Sequence, residues 1–217
     1  MSFTTVLFDL DGTLSDPYEG IIGGIQYALE SVGLHEDDPE KLRRYIGPPL
    51  RQTFALYGFD PEACEKLVDK YRELYLVSGI HQNVPYPGIE SVLKALFEHG
   101  VKIVLASCKP EDACRQILDE HGFLPYFTDV VGATLDKTLD TKPAIIGAAL
   151  SRLGITGDGL SQTLMVGDRD MDILGGHENH IQAAGTLYGY GTRDELSSVG
   201  ADFLVEKPED LLKIVFS

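Results

Sequence analysis

The chain has 217 residues, 43% of them hydrophobic, which is enough to bury a sizeable core and argues against a disordered polymer. Thirty-four acidic residues face 18 basic ones, and the net charge of −16 argues against wrapping a nucleic-acid polymer or docking on an anionic membrane. The start lacks the basic segment of a secretory signal, no run approaches the roughly 18 apolar residues of a membrane span, and three scattered cysteines (Cys64, Cys108, Cys114) suit reduced thiols in a cytoplasmic protein.

The first predicted strand, "TTVLFDL" (4–10), carries Asp9 near its end and runs directly into Asp11, Gly12 and Thr13. Residues 17–80 then read as consecutive helices: "PYEGIIGGIQYALESVG", "DPEKLRRYIG", "PLRQTFALYG" and "PEACEKLVDKYRELYLVSG". In the first of these, Ile21, Ile25, Ala28, Leu29 and Val32 share a helical face. Asp16 is placed to cap that helix, with Pro17 in its first turn. The stretch "QNVPYPGI" (82–89) punctuates the return to alternation. Five further strands follow, "VKIVLAS" (101–107), "DVVGA" (129–133), "TLMVGD" (163–168), "AAGTLYG" (183–189) and "DFLVE" (202–206). Helix-period segments at 88–100, 110–122 and 142–154 lie among them, each ending in glycine. This pattern predicts an α/β fold: a parallel sheet with helices on both faces and a helical subdomain inserted after the first strand. The expected division is 1–15 with 83–217, interrupted by 16–82.

Ligands of an open parallel sheet bind beyond the carboxyl ends of its strands. Asp9 and Asp168 both fall there, and "GDRDMD" (167–172) adds Asp170 and Asp172, the latter about one helical turn past Asp168. Carboxylates gathered this way repel one another, so a hard cation such as Mg²⁺ is the economical explanation. An isolated D-x-D is a weak signal in so acidic a chain. "DRDMD" also matches the first acidic positions of a calcium loop, but the glycine and glutamate such a loop needs are replaced by Ile173 and Asn179. Two acidic clusters at two strand ends are harder to dismiss. His177 and His180 have no companion ligand at zinc spacing and read as surface or helix-end residues.

"DLDGT" on the first strand, a serine closing the second core strand, a downstream lysine and "GDRDMD" resemble, in that order along the whole chain, the haloacid dehalogenase superfamily of phosphohydrolases. The helical insertion resembles the small cap of phosphoglycolate phosphatases, β-phosphoglucomutases and nucleotidases, and "YIGPPL" (45–50) is similar to a phrase of the phosphoglycolate phosphatase and 5'-nucleotidase branch. The resemblance implies a Rossmann-like core and a Mg²⁺-dependent phosphatase working through an aspartyl-phosphate. Asp9 is then the nucleophile and a metal ligand, with the Asp11 carbonyl and the Asp168 side chain as further ligands and Asp172 as a direct or indirect one. Asp11 is the implied proton carrier. Because haloacid dehalogenases proper lack the second aspartate, Asp11 favours phosphate chemistry. Gly12 and Thr13 shape the loop, with the Thr13 hydroxyl expected near Asp11. Ser107 and Lys142 hold the phosphate, with Lys137 the other lysine available. Cys108 lies beside the phosphate position, where a small buried thiol is its plainer role. Arg51 is a candidate contact for the leaving group, equally readable as an exposed helix arginine, and Arg43 and Arg44 are weaker ones.

The implied partner is a small phosphorylated metabolite, a phosphoglycolate-like acid or a nucleoside monophosphate, rather than a nucleic-acid polymer or membrane. A phosphosugar mutase would share the core chemistry, though "IGPPL" leans away from it. A binding protein with a relic site is opposed by the intact Asp9, Asp11, Ser107, Lys142 and Asp168. A phosphonate hydrolase would need a Schiff-base lysine in the cap, and none is marked.

Overall fold

Each predicted core strand becomes a strand of one parallel sheet in the computed structural model, which describes residues 2–134, 136 and 138–217. The strands are β1 (Thr5–Phe8), β4 (Lys102–Pro110), β5 (Asp129–Ala133), β6 (Thr163–Gly167), β7 (Gln182–Thr186) and β8 (Phe203–Val205). Their order in the sheet is β5-β4-β1-β6-β7-β8, with every pairing parallel. β1 is therefore central, with Thr5 paired to Lys102 on one side and to Thr163 on the other. Strands covered on both faces need apolar residues at every position, and all four residues of β1 are buried.

One face of the sheet presents Leu7, Val104, Ala106, Val131, Met165 and Ala183 to a common core. That core is completed by Ile145, Ile146 and Ala149 of α7 (Lys142–Arg152) and Ile173 of α8 (Asp170–Glu178). The other faces of β1 and β4 bury Val6, Phe8, Ile103 and Leu105, and α5 (Ile89–Glu98) and α6 (Glu111–Glu120) each bury an apolar stripe of their own. Beyond α5, α6 and α7 the chain turns through Gly100, Gly122 and Gly154, all at φ between 65° and 74°, where a Cβ would be strained. The sequence pattern does not disclose α8, whose "DMDILGGHE" contains two glycines and no clear apolar stripe. Its glycines have a packing reason: a Cβ on Gly176 would touch the side chains of Ala183 and Met165 at 3.2 and 3.4 Å. α9 (Arg193–Ser198) and α10 (Asp210–Phe216) are short helices that the pattern also leaves unmarked.

By its internal contacts the chain forms two compact units, Met1–Ser15 with Pro85–Ser217, and Asp16–Val84. Two short strands mark the crossings, β2 (Ser15–Asp16) and β3 (Val84–Pro85), paired with each other. The second unit is built from α1 (Tyr18–Glu30), α2 (Pro39–Arg44), α3 (Leu50–Ala55) and α4 (Pro61–Tyr75). Asp38 and Asp60 cap α2 and α4 by accepting from backbone amides, and each is followed by the proline that suits a first helical position. Ile21, Ile25, Ala28 and Leu29 of α1 are buried, but Val32 is exposed because the helix ends before it. The expected cap at Asp16 is displaced by one residue. Pro17 occupies the cap position, and Asp16 Oδ1 accepts from the Tyr18 amide at 2.9 Å instead.

Truncating Leu105, fully buried in β4, to alanine removes packing on a central strand. The expected loss is about 2–5 kcal/mol of unfolding free energy in urea, against less than about 0.5 kcal/mol for the same change at exposed Leu56.

Candidate active site

The carboxyl edges of β1, β4 and β6 and the first turns of α7 and α8 bring the chemistry together. Asp9 follows the last residue of β1, and its amide is held by the Val166 carbonyl of β6 at 2.9 Å. Asp168 follows β6. Its Oδ1 accepts from the Thr13 hydroxyl at 3.3 Å and its Oδ2 from the Tyr190 amide at 2.8 Å. Asp172 lies in the first turn of α8, where Oδ2 accepts from the Arg169 amide at 3.0 Å and so caps its own helix. Arg169 and the Asp170 amide both bind Glu195, which anchors this helix start to α9. Asp170 itself turns away from the cluster and caps the Met171 amide.

Asp9, Asp168 and Asp172 are buried, and they can offer one oxygen each with all three within 4.8 Å of one another. Lys142, at the start of α7, reaches into this group with Nζ 2.9 Å from Asp9 and 2.8 Å from Asp172. It donates its hydrogen bond to the Ala106 carbonyl, and neither Asp9 Oδ1 nor Asp172 Oδ1 receives a well-directed one. Burial, reinforced by the charges of Asp172 and Asp9, pushes Asp168 well above the usual carboxylate range. Burial also lifts Asp172 to about 6 against the pull of Lys142. Burial works against charge on Lys142, yet Asp172 and Asp9 hold its ammonium well above the ordinary lysine value. When all three carboxylates are ionised, one lysine leaves the cluster two positive charges short of neutrality. Clustered hard oxygens with that deficit fit a divalent cation with oxygen preference.

The carboxylates approach so closely because glycines line the site. A Cβ on Gly12, which sits at φ 85°, would lie 2.1 Å from Asp168 Oδ2, and one on Gly167 would lie 2.2 Å from Asp172 Cγ. Gly189 and Gly191 lie equally close to Asp168. The loop after β7, through Tyr188 to Gly191, thus packs on the site. The sequence pattern reads its first residues as strand, although "YGYG" carries the mark of a close backbone approach.

Thr13 contacts Asp168 rather than Asp11, because the amides of Thr13, Leu14 and Ser15 all turn back onto the Leu10 carbonyl. Asp11 stands apart from the three clustered side chains. Both of its oxygens meet Nζ of Lys109, at 2.7 and 2.6 Å, a residue the sequence reading passes over. Ser107 is buried on β4, with its Oγ accepting from the Lys109 amide at 3.4 Å. Cys108 is half-buried, and burial, partly offset by Lys142, pushes its thiol up to about 11, so it remains protonated at neutral pH. Arg51 belongs to the other unit, where it faces Glu65 at 3.6 Å. Lys137 lies outside the described residues. His177 pairs with Asp202 at 3.0 Å, a surface contact.

A sequence model described as haloacid dehalogenase-like hydrolase matches residues 6–186. The chain is 38% identical over 197 residues to a 5'-nucleotidase of Pseudomonas aeruginosa, covering 90% of this chain and 88% of that protein. It is 34% identical over 210 residues to a phosphoglycolate phosphatase of Aquifex aeolicus, covering 97% and 95%. Among solved structures, a predicted phosphatase from Clostridium acetobutylicum superposes with a TM-score of 0.94 at 36% identity over 99% of both chains.

The raised carboxylates carry a pH signature. A folded-state value above the unfolded one contributes stability below pH 4 that is lost as pH rises toward the folded value. In chelator, the stability contributed by Asp168 and Asp172 should therefore fall as pH rises from the ordinary carboxylate value of 3.8 past the value near 6 that Asp172 reaches. Thermal unfolding across this range checks the slope, and Asp168→Asn should flatten it. An Asp168→Asn profile with the same slope as the wild type over that interval would contradict the electrostatics described.

Proposed function

The chain belongs to the haloacid dehalogenase-like hydrolase family, and from that premise we propose that it is a Mg²⁺-dependent phosphatase that hydrolyses a small phosphomonoester through an aspartyl-phosphate on Asp9. The observation that carries the reading is the buried group of Asp9, Asp168 and Asp172 around one lysine, with Asp11 separately held two residues from Asp9. The side chains of Asp9, Asp168 and Asp172 would hold the ion, with the Asp11 carbonyl as a further donor. Bound there, Mg²⁺ supplies the positive charge that lets an anionic phosphate approach an anionic nucleophile.

An Asp9 oxygen attacks phosphorus, and the bond from phosphorus to the ester oxygen breaks. Asp11 delivers a proton to that departing oxygen. In the second half, Asp11 takes a proton from water as the water oxygen attacks phosphorus, which releases Asp9 and inorganic phosphate. Lys142 and the Ser107 hydroxyl hold the non-bridging phosphate oxygens, and Lys142 meanwhile keeps Asp9 aimed. Thr13 and the Tyr190 amide fix Asp168 by its two oxygens. Residues 16–84 serve as the cap that discriminates substrates, with Arg51 as its candidate leaving-group contact. A phosphoglycolate-like acid and a nucleoside monophosphate are the substrate classes supported by the names of the similar enzymes. A cytoplasmic setting is consistent with three free thiols, and no helix among the described residues is long and apolar enough to cross a membrane.

Phosphate release from a panel of phosphoglycolate, nucleoside monophosphates and sugar phosphates, with and without Mg²⁺, tests the proposal. Release should require the metal, and Asp9→Asn should lower kcat by roughly 10³-fold or more. Full activity in Asp9→Asn, or no metal-dependent release from any member, would sink it. Movement of phosphate between sugar positions without net release would assign a mutase instead.

A further inference from the structure

Lys109 and Asp11 form a second buried ion pair at the same sheet edge, separate from the one around Lys142. Both Asp11 oxygens lie within 2.7 Å of Lys109 Nζ, and the two side chains are only 13% and 7% exposed. A buried pair of this kind is a poor device for stability, because taking two charges out of water offsets most of their attraction. Its geometric effect is larger. The Asp11 backbone is already fixed, with the Gly12 amide on the Ser15 carbonyl and a bridge between Asp11 and Ser15. What remains are the side-chain torsions, and a two-point contact to one ammonium selects one rotamer from the staggered set.

The local backbone places Lys109 for this contact. β4 and β5 pair regularly up to Ser107 and Gly132, and the register then slips before Pro110 meets Ala133. This bulge lies directly over Gly132, where a Cβ would be 2.5 Å from Glu111 Cα and 2.7 Å from the Lys109 carbonyl. The same carbonyl receives the Cys114 thiol at 3.6 Å. A bulge beside a site re-aims a side chain, and here the re-aimed side chain is Lys109.

We propose that Lys109 is the positioning residue that holds the Asp11 carboxyl group in the orientation from which it exchanges a proton with the leaving oxygen, one Asp11 oxygen staying on the ammonium while the other carries the proton. This rests on the phosphatase reading, in which Asp11 is the proton carrier. Lys109 makes no bond to phosphorus and acts through Asp11. Orientation of this kind is worth about a hundredfold when lost by an ångström.

The leaving group supplies the test. An alkyl phosphate needs its departing oxygen protonated, whereas 2,4-dinitrophenolate leaves unaided. kcat/KM reports only the steps through transfer to Asp9, so the later hydrolysis does not obscure it. Lys109→Met should lower kcat/KM roughly 10- to 100-fold on an alkyl phosphate and less than about threefold on 2,4-dinitrophenyl phosphate, with partial rescue in Lys109→Arg. Asp11→Asn should show the same split, and adding Lys109→Met to it should cost nothing more on either substrate. That double variant removes both charges, so it reads the inference even where Lys109→Met alone does not fold. Equal losses on the two substrates, no loss on either, or a double variant worse than Asp11→Asn would overturn the positioning role. An active Asp9→Asn, or a wild type inactive on both esters with Mg²⁺, would instead overturn the phosphatase reading on which it stands.

Discussion

Three carboxylates closed away from water around a single ammonium set the terms for the rest of the structure. At 2.8–2.9 Å, each contact of Lys142 with Asp172 or Asp9 is worth on the order of 5 kcal/mol of Coulomb attraction at an effective dielectric of about 20. Desolvation of each ion costs several kcal/mol, so the arrangement is near balance and not a net source of stability. Asp168 has no cation in contact among the described residues, and the fold gives it two hydrogen-bond donors. The surrounding architecture answers to this crowding. Glycines at 12, 167 and 189 remove the side chains that would crowd the carboxylates, Gly191 makes room for the Asp168 backbone carbonyl, and the first turn of α8 is aimed so that Asp172 caps it.

The two cations divide the acidic residues between them. Lys142 contacts Asp9 and Asp172, and Lys109 contacts Asp11, the residue proposed for proton transfer. Two aspartates only two positions apart are thereby held by different strands and helices: Asp9 by β6 backbone and α7, Asp11 by the bulge of β4. Neighbours along the chain thus stand in different surroundings because different partners reach them.

The six parallel strands were legible because buried strands must be apolar at successive positions, and little else in a sequence of this composition looks that way. Asp9, Asp11 and Asp168 were legible as candidates for the reason that they interrupt or end those runs. Lys142 was reached through the family resemblance, and the helix it opens favoured it over Lys137. Other features carry no such mark. α8 is held by capping and by close packing of small residues, so its hydrophobic pattern is nearly silent. Lys109 is invisible because its position depends on a register slip, and "SCKP" reads as the frayed end of a strand. Val32 was misplaced because a helical face says nothing about where the helix stops.

The interruption of the core by residues 16–84 has a consequence for biosynthesis. β1 is the first segment of the sheet to be translated, yet its two neighbours begin at Lys102 and Thr163. A buried, apolar strand must therefore wait while the whole intervening unit emerges, and its second edge closes only after Thr163–Val166 have been made. Such long-range pairing makes for slow folding and a nascent chain that exposes a sticky segment. The unit Asp16–Val84, built from contacts local to itself, can form in that interval. The edge that gathers the carboxylates is thus a late product of synthesis, assembled only after every element that flanks it has left the ribosome.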